Sequence, residues 1–270
     1  MQLRFYVRDE RYVILIHSTA IIDASASIGK NVTIGPFCYI GENVVIGDDC
    51  IFESHIVVKR DTTIGSGNHF YQFCSIGEDC QDKKYAGEKT TLVIGDNNVF
   101  RESCTIHRGT TQDQCITKLG SNNLLMVNTH LAHDCMVGDN NIFANNATVA
   151  GHVHIGDFVI LGGMTAVHQF CHLGSHSFTG GGAVILRDVP PFVMVNGLKH
   201  IPQTINTEGL KRRGFSPDAV MNIKRAYKAL YRQNNTIAEA LVAIKALALE
   251  SPELDIMVDF LSKPNRGIIR

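Results

Sequence analysis

The sequence predicts a mainly β chain: a left-handed parallel β-helix of hexapeptide repeats, followed by a small C-terminal α-helical domain. Three observations predict it: an apolar anchor at every sixth position, a glycine directly after many anchors, and a change to helical spacing near Gly209. The anchors run Ile16, Ile22, Ile28, Ile34, Ile40, Ile46, Phe52, Val58, Ile64, Phe70 and Ile76. They resume in phase at Ile94, Phe100 and Ile106, and run again, after a slip of one residue, from Leu119 to Leu173. Neither a helix nor an ordinary strand repeats every six residues. A triangular coil of short parallel strands does, because each side uses six residues and each corner turns on a small or flexible one.

Taken in order, residues 1–15 (MQLRFYVRDERYVIL) form an N-terminal extension outside the repeat. They carry charges throughout and lack the cleavage site of a signal peptide. Residues 16–190 form the β-helix domain. A second inward position two residues before each anchor holds small side chains, including Ala26, Val32, Cys38, Val44, Cys50, Cys74, Cys104, Cys135, Ala147 and Cys171. Six of the eight cysteines thereby have a packing role as small hydrophobes; a disulfide framework is the alternative, which a chain this long does not need. Residues 77–93 and 107–118 interrupt the coil as loops. Loops leaving a rigid repeat are where function collects, tolerated surface insertion being the other reading. Pro190-Pro191 ends the pattern and 191–208 reads as an irregular linker. The C-terminal helical domain, 209–270, contains a helix starting at Ser216-Pro217 with Val220, Ile223, Tyr227, Leu230 and Tyr231 on one face. A second helix starts at a Thr236/Glu239 capping box, and a third runs from Ser251-Pro252 to near Pro264.

A net charge of −1 supplies no field for nucleic acid, and the chain has no apolar run long enough to span a bilayer. A cytoplasmic enzyme without stable membrane insertion is expected. The flat walls of a triangular prism suit packing about a threefold axis, so a homotrimer with sites shared between neighbours is expected.

The chemistry is read from the histidines. His130, His133, His152, His154, His168, His172 and His176 crowd one region, none at an anchor. His133 is followed by Asp134, and one coil of eighteen residues later stands Gly151. Adjacent strands lie about 4.8 Å apart, so a potential base sits beside a backbone N–H unobstructed by a side chain. That pair suits acyl transfer: the imidazole takes a proton from an attacking hydroxyl and the N–H stabilises the tetrahedral oxyanion. The alternative is that these histidines are solvated or pack between subunits. Zinc binding is a second functional reading. Proteins resembling gamma-class carbonic anhydrases use two histidines five apart, a spacing none of these pairs has. No metal is expected.

The segments IGPFCYIG (34–41), YQFCSIGE (71–78), QDKKYAGE (81–88), RESCTIHRGT (101–110), NLLMVNTHLAHDC (123–135), GGMTAVHQFC (162–171) and EGLKRRGF (208–215) resemble those of the UDP-N-acetylglucosamine O-acyltransferases, which open lipid A biosynthesis. The resemblance implies a homotrimer that moves a 3-hydroxyacyl chain from acyl carrier protein to the sugar 3-hydroxyl of UDP-N-acetylglucosamine. No cofactor is implied, since the donor rides on the carrier. Carried over, His133 is the general base, Asp134 orients it and Gly151 supplies the oxyanion N–H. Gln81, Asp82 and Lys84 approach the sugar nucleotide, and His130, His152, His168 and Gln169 line the sugar and acyl groove. Asn206, Glu208 and Arg212 hold the uridine and phosphates. Gly181 matches a position that sets acyl-chain length, and glycine there implies a long chain. Lys211, Arg212 and Arg213 suggest a docking surface for the acidic carrier. Residue Thr179 and the stretch 182–186 depart from the family's pattern, as does the N-terminal extension. Two alternatives stay open: a related hexapeptide transferase acting on an amine or using acetyl-CoA, against which the GLKRRGF and QDKKYAGE segments argue, and a non-catalytic or metal-binding β-helix.

Overall fold

Six-residue periodicity becomes a left-handed parallel β-helix. The computed structural model describes residues 3–9, 12–263 and 267–270, with side chains from Leu15 onward. Strands mostly two residues long stack into three walls, of twelve, eight and nine strands among the described residues. Thr33 pairs with Ile51 and Ile34 with Phe52, an offset of eighteen residues, or three sides of six. His69 pairs with Val99, thirty residues on, and Val99 with Leu124, twenty-five on. The two insertions therefore add twelve and seven residues to a coil of eighteen. Twelve is a multiple of six and keeps phase; seven produces the slip of one.

Most corners turn through the left-handed region, with positive φ at Asn31, Asn43, Asp49, Asn128, Asn140 and their equivalents. Asn and Asp tolerate that conformation; aromatic residues do so at a cost of about 1–2 kcal/mol. Where Phe or His occupies a corner, rings stack between coils and offset that cost. Phe37, His55 and Phe73 form one such column, with centroids 5.0 and 5.4 Å apart. Inside, the anchors Phe52, Phe70 and Phe100 stack at 4.7 and 4.3 Å. All six cysteines assigned to the second inward position are buried and free. That position also takes a buried asparagine ladder, in which Asn98 Nδ2 donates to Asn68 Oδ1 and Asn123 Nδ2 to Asn98 Oδ1, both at 3.0 Å. The side-chain amides of Asn68, Asn98 and Asn123 are thereby satisfied by the coils beside them.

Three segments carry structure that the sequence left open or read otherwise. The N-terminal extension joins the coil: Leu3–Asp9 and Tyr12–His17 form an antiparallel hairpin, and Leu15 and Ile16 pair with Thr33 and Ile34. Residues 1, 2, 10 and 11 lie outside the described residues. A first coil left bare would expose a row of unpaired backbone groups, which the hairpin covers. Residues 191–208 are not an irregular linker. Val193–Val195 continues the twelve-stranded wall and pairs antiparallel with Pro202–Ile205, closing its other end. Helix α1 (Thr207–Arg212) begins before Gly209, because the Asn206 side chain caps it by accepting from the Gly209 N–H.

Helices α2 (Pro217–Tyr231), α3 (Ile237–Ala248) and α4 (Asp255–Ser262) follow. Ser216 caps α2, and the Thr236/Glu239 capping box opens α3. A 3-10 turn, Pro252–Leu254, precedes α4, and Pro264 lies outside the described residues. Ile223, Tyr227 and Leu230 are buried on α2, while Val220 and Tyr231 pack partly buried against them. The Tyr227 hydroxyl donates to the Pro202 carbonyl at 3.2 Å, fixing α2 to the closing strand.

Candidate active site

The corner after the strand His130–Leu131 carries His133 and Asp134, and one coil on the same corner carries Gly151 and His152. Asp134 and His152 both take the left-handed conformation, with φ of 59° and 61°. His152 N–H donates to the His133 carbonyl at 3.0 Å, which locks the two corners together.

His133 Nδ1 lies 2.8 Å from Asp134 Oδ2. A carboxylate only accepts, so Nδ1 carries the proton and Nε2 offers its lone pair. Asp134 is buried and further held by Thr110, whose N–H donates to Oδ1 at 2.8 Å and whose hydroxyl donates to Oδ2 at 2.6 Å. Burial opposes its ionisation, but the hydrogen bonds from His133 and Thr110 and the nearby His152 outweigh it and keep the carboxyl below its usual range. An added Cβ on Gly151 would stand 2.6 Å from both Cε1 and Nε2 of His133. Among the described residues the Gly151 N–H has no hydrogen-bond partner. The arrangement is a basic nitrogen with a fixed tautomer beside a free backbone donor.

Around this pair, His152 packs edge-on to His133 with centroids 5.0 Å apart and stacks on Phe170 at 4.5 Å. His130 lies on the neighbouring strand, its Nδ1 2.7 Å from Thr105 Oγ1 and its ring edge-on to His107. Burial and the adjacent His133 both push the His130 pKa down. His168 and Gln169 are exposed on the corner one coil beyond Gly151.

Gln81, Asp82 and Lys84 stand on the first insertion. Asp82 turns it by accepting from the Lys84 N–H at 3.0 Å. The loop borders the base: burial raises the pKa of Cys80, and the charge of Asp134 adds to that rise. Arg108 anchors it. That side chain is fully buried, with its guanidinium donating to the Gly77 carbonyl, Asp79 and the Tyr85 hydroxyl.

Asn206 and Glu208 line a separate cleft of about 360 Å³ with Phe178, Met194 and Ile205. Glu208 pairs with Lys211 at 3.2 Å, and Arg212 is exposed beside them. None of the His133 group lines that cleft, so one chain alone does not bring the two sets together. Gly181 is exposed, and a Cβ there would meet only the Gly163 carbonyl, at 3.5 Å. Arg213 turns inward: it donates to the Phe158 carbonyl at 3.0 Å and lies over the Phe158 ring, leaving Lys211 and Arg212 as the exposed cations of that run.

Sequence reasoning did not single out Thr110, Arg108, Asp113 or Phe170. The first three lie in or beside an insertion, where no repeat register says which way a side chain faces. Phe170 had a signal, since it follows His152 by one coil of eighteen. Ligand atoms of His133, Asp134 and His152 lie within 4.8 Å of one another, close enough to share a cation. Both Asp134 oxygens, however, already accept hydrogen bonds.

The bacterial transferase hexapeptide model matches residues 25–55 and 116–151, and the model of UDP-N-acetylglucosamine O-acyltransferase domain 2 matches 188–269. The structure of LpxA from Acinetobacter baumannii is 52% identical, with a TM-score of 0.92, over 94% of this chain and 99% of that one. The UDP-N-acetylglucosamine O-acyltransferase of Moraxella catarrhalis is 47% identical, with a TM-score of 0.93 over the same shares. The Arabidopsis UDP-N-acetylglucosamine acyltransferase is 36% identical, with a TM-score of 0.83, over 95% of this chain and all of that one. Identity at this level over nearly the whole length of both chains, on a β-helix with the same helical end, places the chain in the UDP-N-acetylglucosamine O-acyltransferase family, and it is an acyltransferase.

Proposed function

We propose that this enzyme transfers a 3-hydroxyacyl group from acyl carrier protein to the 3-hydroxyl of UDP-N-acetylglucosamine, with His133 as general base and the Gly151 N–H as oxyanion donor. The observation that carries this reading is the His133 imidazole packed where a Gly151 side chain would be, beside a backbone N–H with no partner among the described residues. Nε2 takes the proton of the sugar hydroxyl as its oxygen attacks the thioester carbonyl. The carbonyl oxygen becomes an oxyanion and accepts from Gly151. Collapse breaks the C–S bond, and the leaving thiolate takes the proton from the imidazolium. Asp134 fixes the tautomer and faces the imidazolium charge. The base contributes on the order of 10²–10⁴ in rate and the oxyanion donor on the order of 10²–10³.

Asp82 and Lys84, with Gln81, contact the sugar nucleotide from the first loop, while His130, His152, His168 and Gln169 line the groove. Asn206, Glu208 and Arg212 hold the uridine and phosphates, with the Arg fork matched to phosphate. Because this second set lies in its own cleft, we assign the full site to the junction of neighbouring chains in a homotrimer. Lys211 and Arg212 face the acidic carrier. No described helix is long and apolar enough to cross a membrane. The test is incubation of the purified enzyme with UDP-N-acetylglucosamine and 3-hydroxyacyl carrier protein, with mass detection of the sugar ester. No ester at any chain length would remove this reading.

A further inference from the structure

The second insertion reaches back to the site through Asp113, whose Oδ2 lies 3.0 Å from His152 Nδ1 although the residues are 39 apart in sequence. The other sides of this ring are also occupied. Its face stacks on Phe170 with planes 9° apart, its edge meets His133 at 89°, and Nε2 lies 3.9 Å from Asp134 Oδ2. The histidine χ2 torsion is broad and roughly two-fold, so stacking alone does not decide which nitrogen faces the groove. An acceptor-only carboxylate on Nδ1 does decide it: Nδ1 carries hydrogen and Nε2 faces the other way.

Asp113 is not needed to shape its own turn. The Asp113 and Cys115 N–H groups both donate to the Thr110 carbonyl, at 3.3 and 3.1 Å. Its carboxylate makes no other hydrogen bond among the described residues and is about one-third exposed, whereas the His152 ring is 11% exposed. The same insertion supplies Thr110, which holds Asp134 and through it His133. From Thr110 and Asp113, three residues apart, one short loop therefore reaches both imidazoles, that of His133 through Asp134.

We propose that Asp113 is a positioning residue for acyl transfer: it fixes the rotation and tautomer of His152 so that Nε2 is presented to the groove beside the base. This rests on the reading that His152 borders the reacting groups.

The test uses the full-length enzyme and four variants: Asp113→Ala, Asp113→Asn, His152→Ala and the double variant Asp113→Ala/His152→Ala. Asp113→Ala is expected to lower kcat/KM about 10-fold, by analogy with other groups that orient an active imidazole. Asp113→Asn, whose amide oxygen still accepts from Nδ1–H, is expected to stay close to wild type. In the His152→Ala background, Asp113→Ala should add nothing, because its effect runs through that ring. Nitrogen-15 NMR of labelled histidine gives a readout independent of turnover: His152 should be protonated at Nδ1 in wild type and a mixture of tautomers in Asp113→Ala. Equal activity and an unchanged ring signal in Asp113→Ala overturn the inference, as does an equal loss with and without His152. A His152→Ala enzyme as active as wild type takes down the groove reading and this inference with it. Loss in His152→Ala with none in Asp113→Ala overturns this inference alone.

Discussion

His133 occupies the space a side chain on Gly151 would need, with two of its ring atoms 2.6 Å from the position of a Cβ. This contact joins the base and the oxyanion donor into one unit, because neither can move without the other. Gly151→Ala forces the imidazole off its present position while leaving the coil's anchors untouched. The expected outcome is a fall in kcat of at least about 10²-fold, the size of losing an oxyanion donor, with an unchanged circular dichroism spectrum. Steady-state kinetics beside thermal melting checks it.

Arg108 is expected to govern both stability and sugar-nucleotide affinity. Its guanidinium is fully buried, whereas its partner Asp79 is about half exposed. Burial opposes Asp79 ionisation, but Arg108, the Tyr85 hydroxyl and Arg60 outweigh it and hold the carboxyl below its usual range. Arg108→Met leaves the Gly77 carbonyl without its donor and Asp79 with only the Tyr85 hydroxyl and Arg60. A fully buried pair broken this way costs about 3–5 kcal/mol, and the exposure of Asp79 puts this case at or below the lower end. The melting temperature should drop by several degrees. The KM for UDP-N-acetylglucosamine should rise more than kcat falls, since the loop carries Asp82 and Lys84. Calorimetry with a KM and kcat comparison separates the two effects.

Acid should destabilise the fold through one buried and one half-buried histidine. Burial is the main cause that pushes His107 down to about 4, with His130 next, and burial followed by the Arg213 charge pushes His176 down to about 4. Unfolded, each binds a proton near 6.5; folded, each stays neutral until near 4. The unfolded chain therefore holds more protons between those values. Stability is fully present above 6.5 and falls as pH drops towards 4, by on the order of a few kcal/mol for the two together. Melting curves from pH 7.5 to 4.5 should show a steady decline, and His176→Phe should flatten it.

Gly181 tests chain-length selection. A Cβ there meets only the Gly163 carbonyl at ordinary contact distance, so the chain itself tolerates a larger residue. On the proposal that Gly181 sets acyl-chain length, Gly181→Met should fold normally and shift preference to shorter acyl donors. Competition among carriers bearing acyl chains of different lengths gives the ratio directly.

The parts legible in sequence are those the repeat register controls. The anchors, the cysteine positions and the stacking of Gly151 on His133 all follow from a coil of eighteen, because packing in a triangular interior repeats with the chain. Asp113 and Arg108 were not legible, since their partners lie 39 and 29 residues away across insertions that obey no period. Arg213 reads as a surface cation in a basic run. Its engagement with Phe158, 55 residues earlier, depends on where α1 lands. The strands at Val193–Val195 and Pro202–Ile205 were hidden because they pair antiparallel, outside the hexapeptide pattern.

The most direct measurement is kcat for transfer of a 3-hydroxyacyl group from carrier protein to UDP-N-acetylglucosamine by wild type and by His133→Ala, with the mass of each assembly in solution. Wild type should give ester, the variant should lose about 10²–10⁴ in kcat, and both should have a three-chain mass. A His133→Ala enzyme that keeps its assembly and turns over within a few-fold of wild type would contradict His133 as the base.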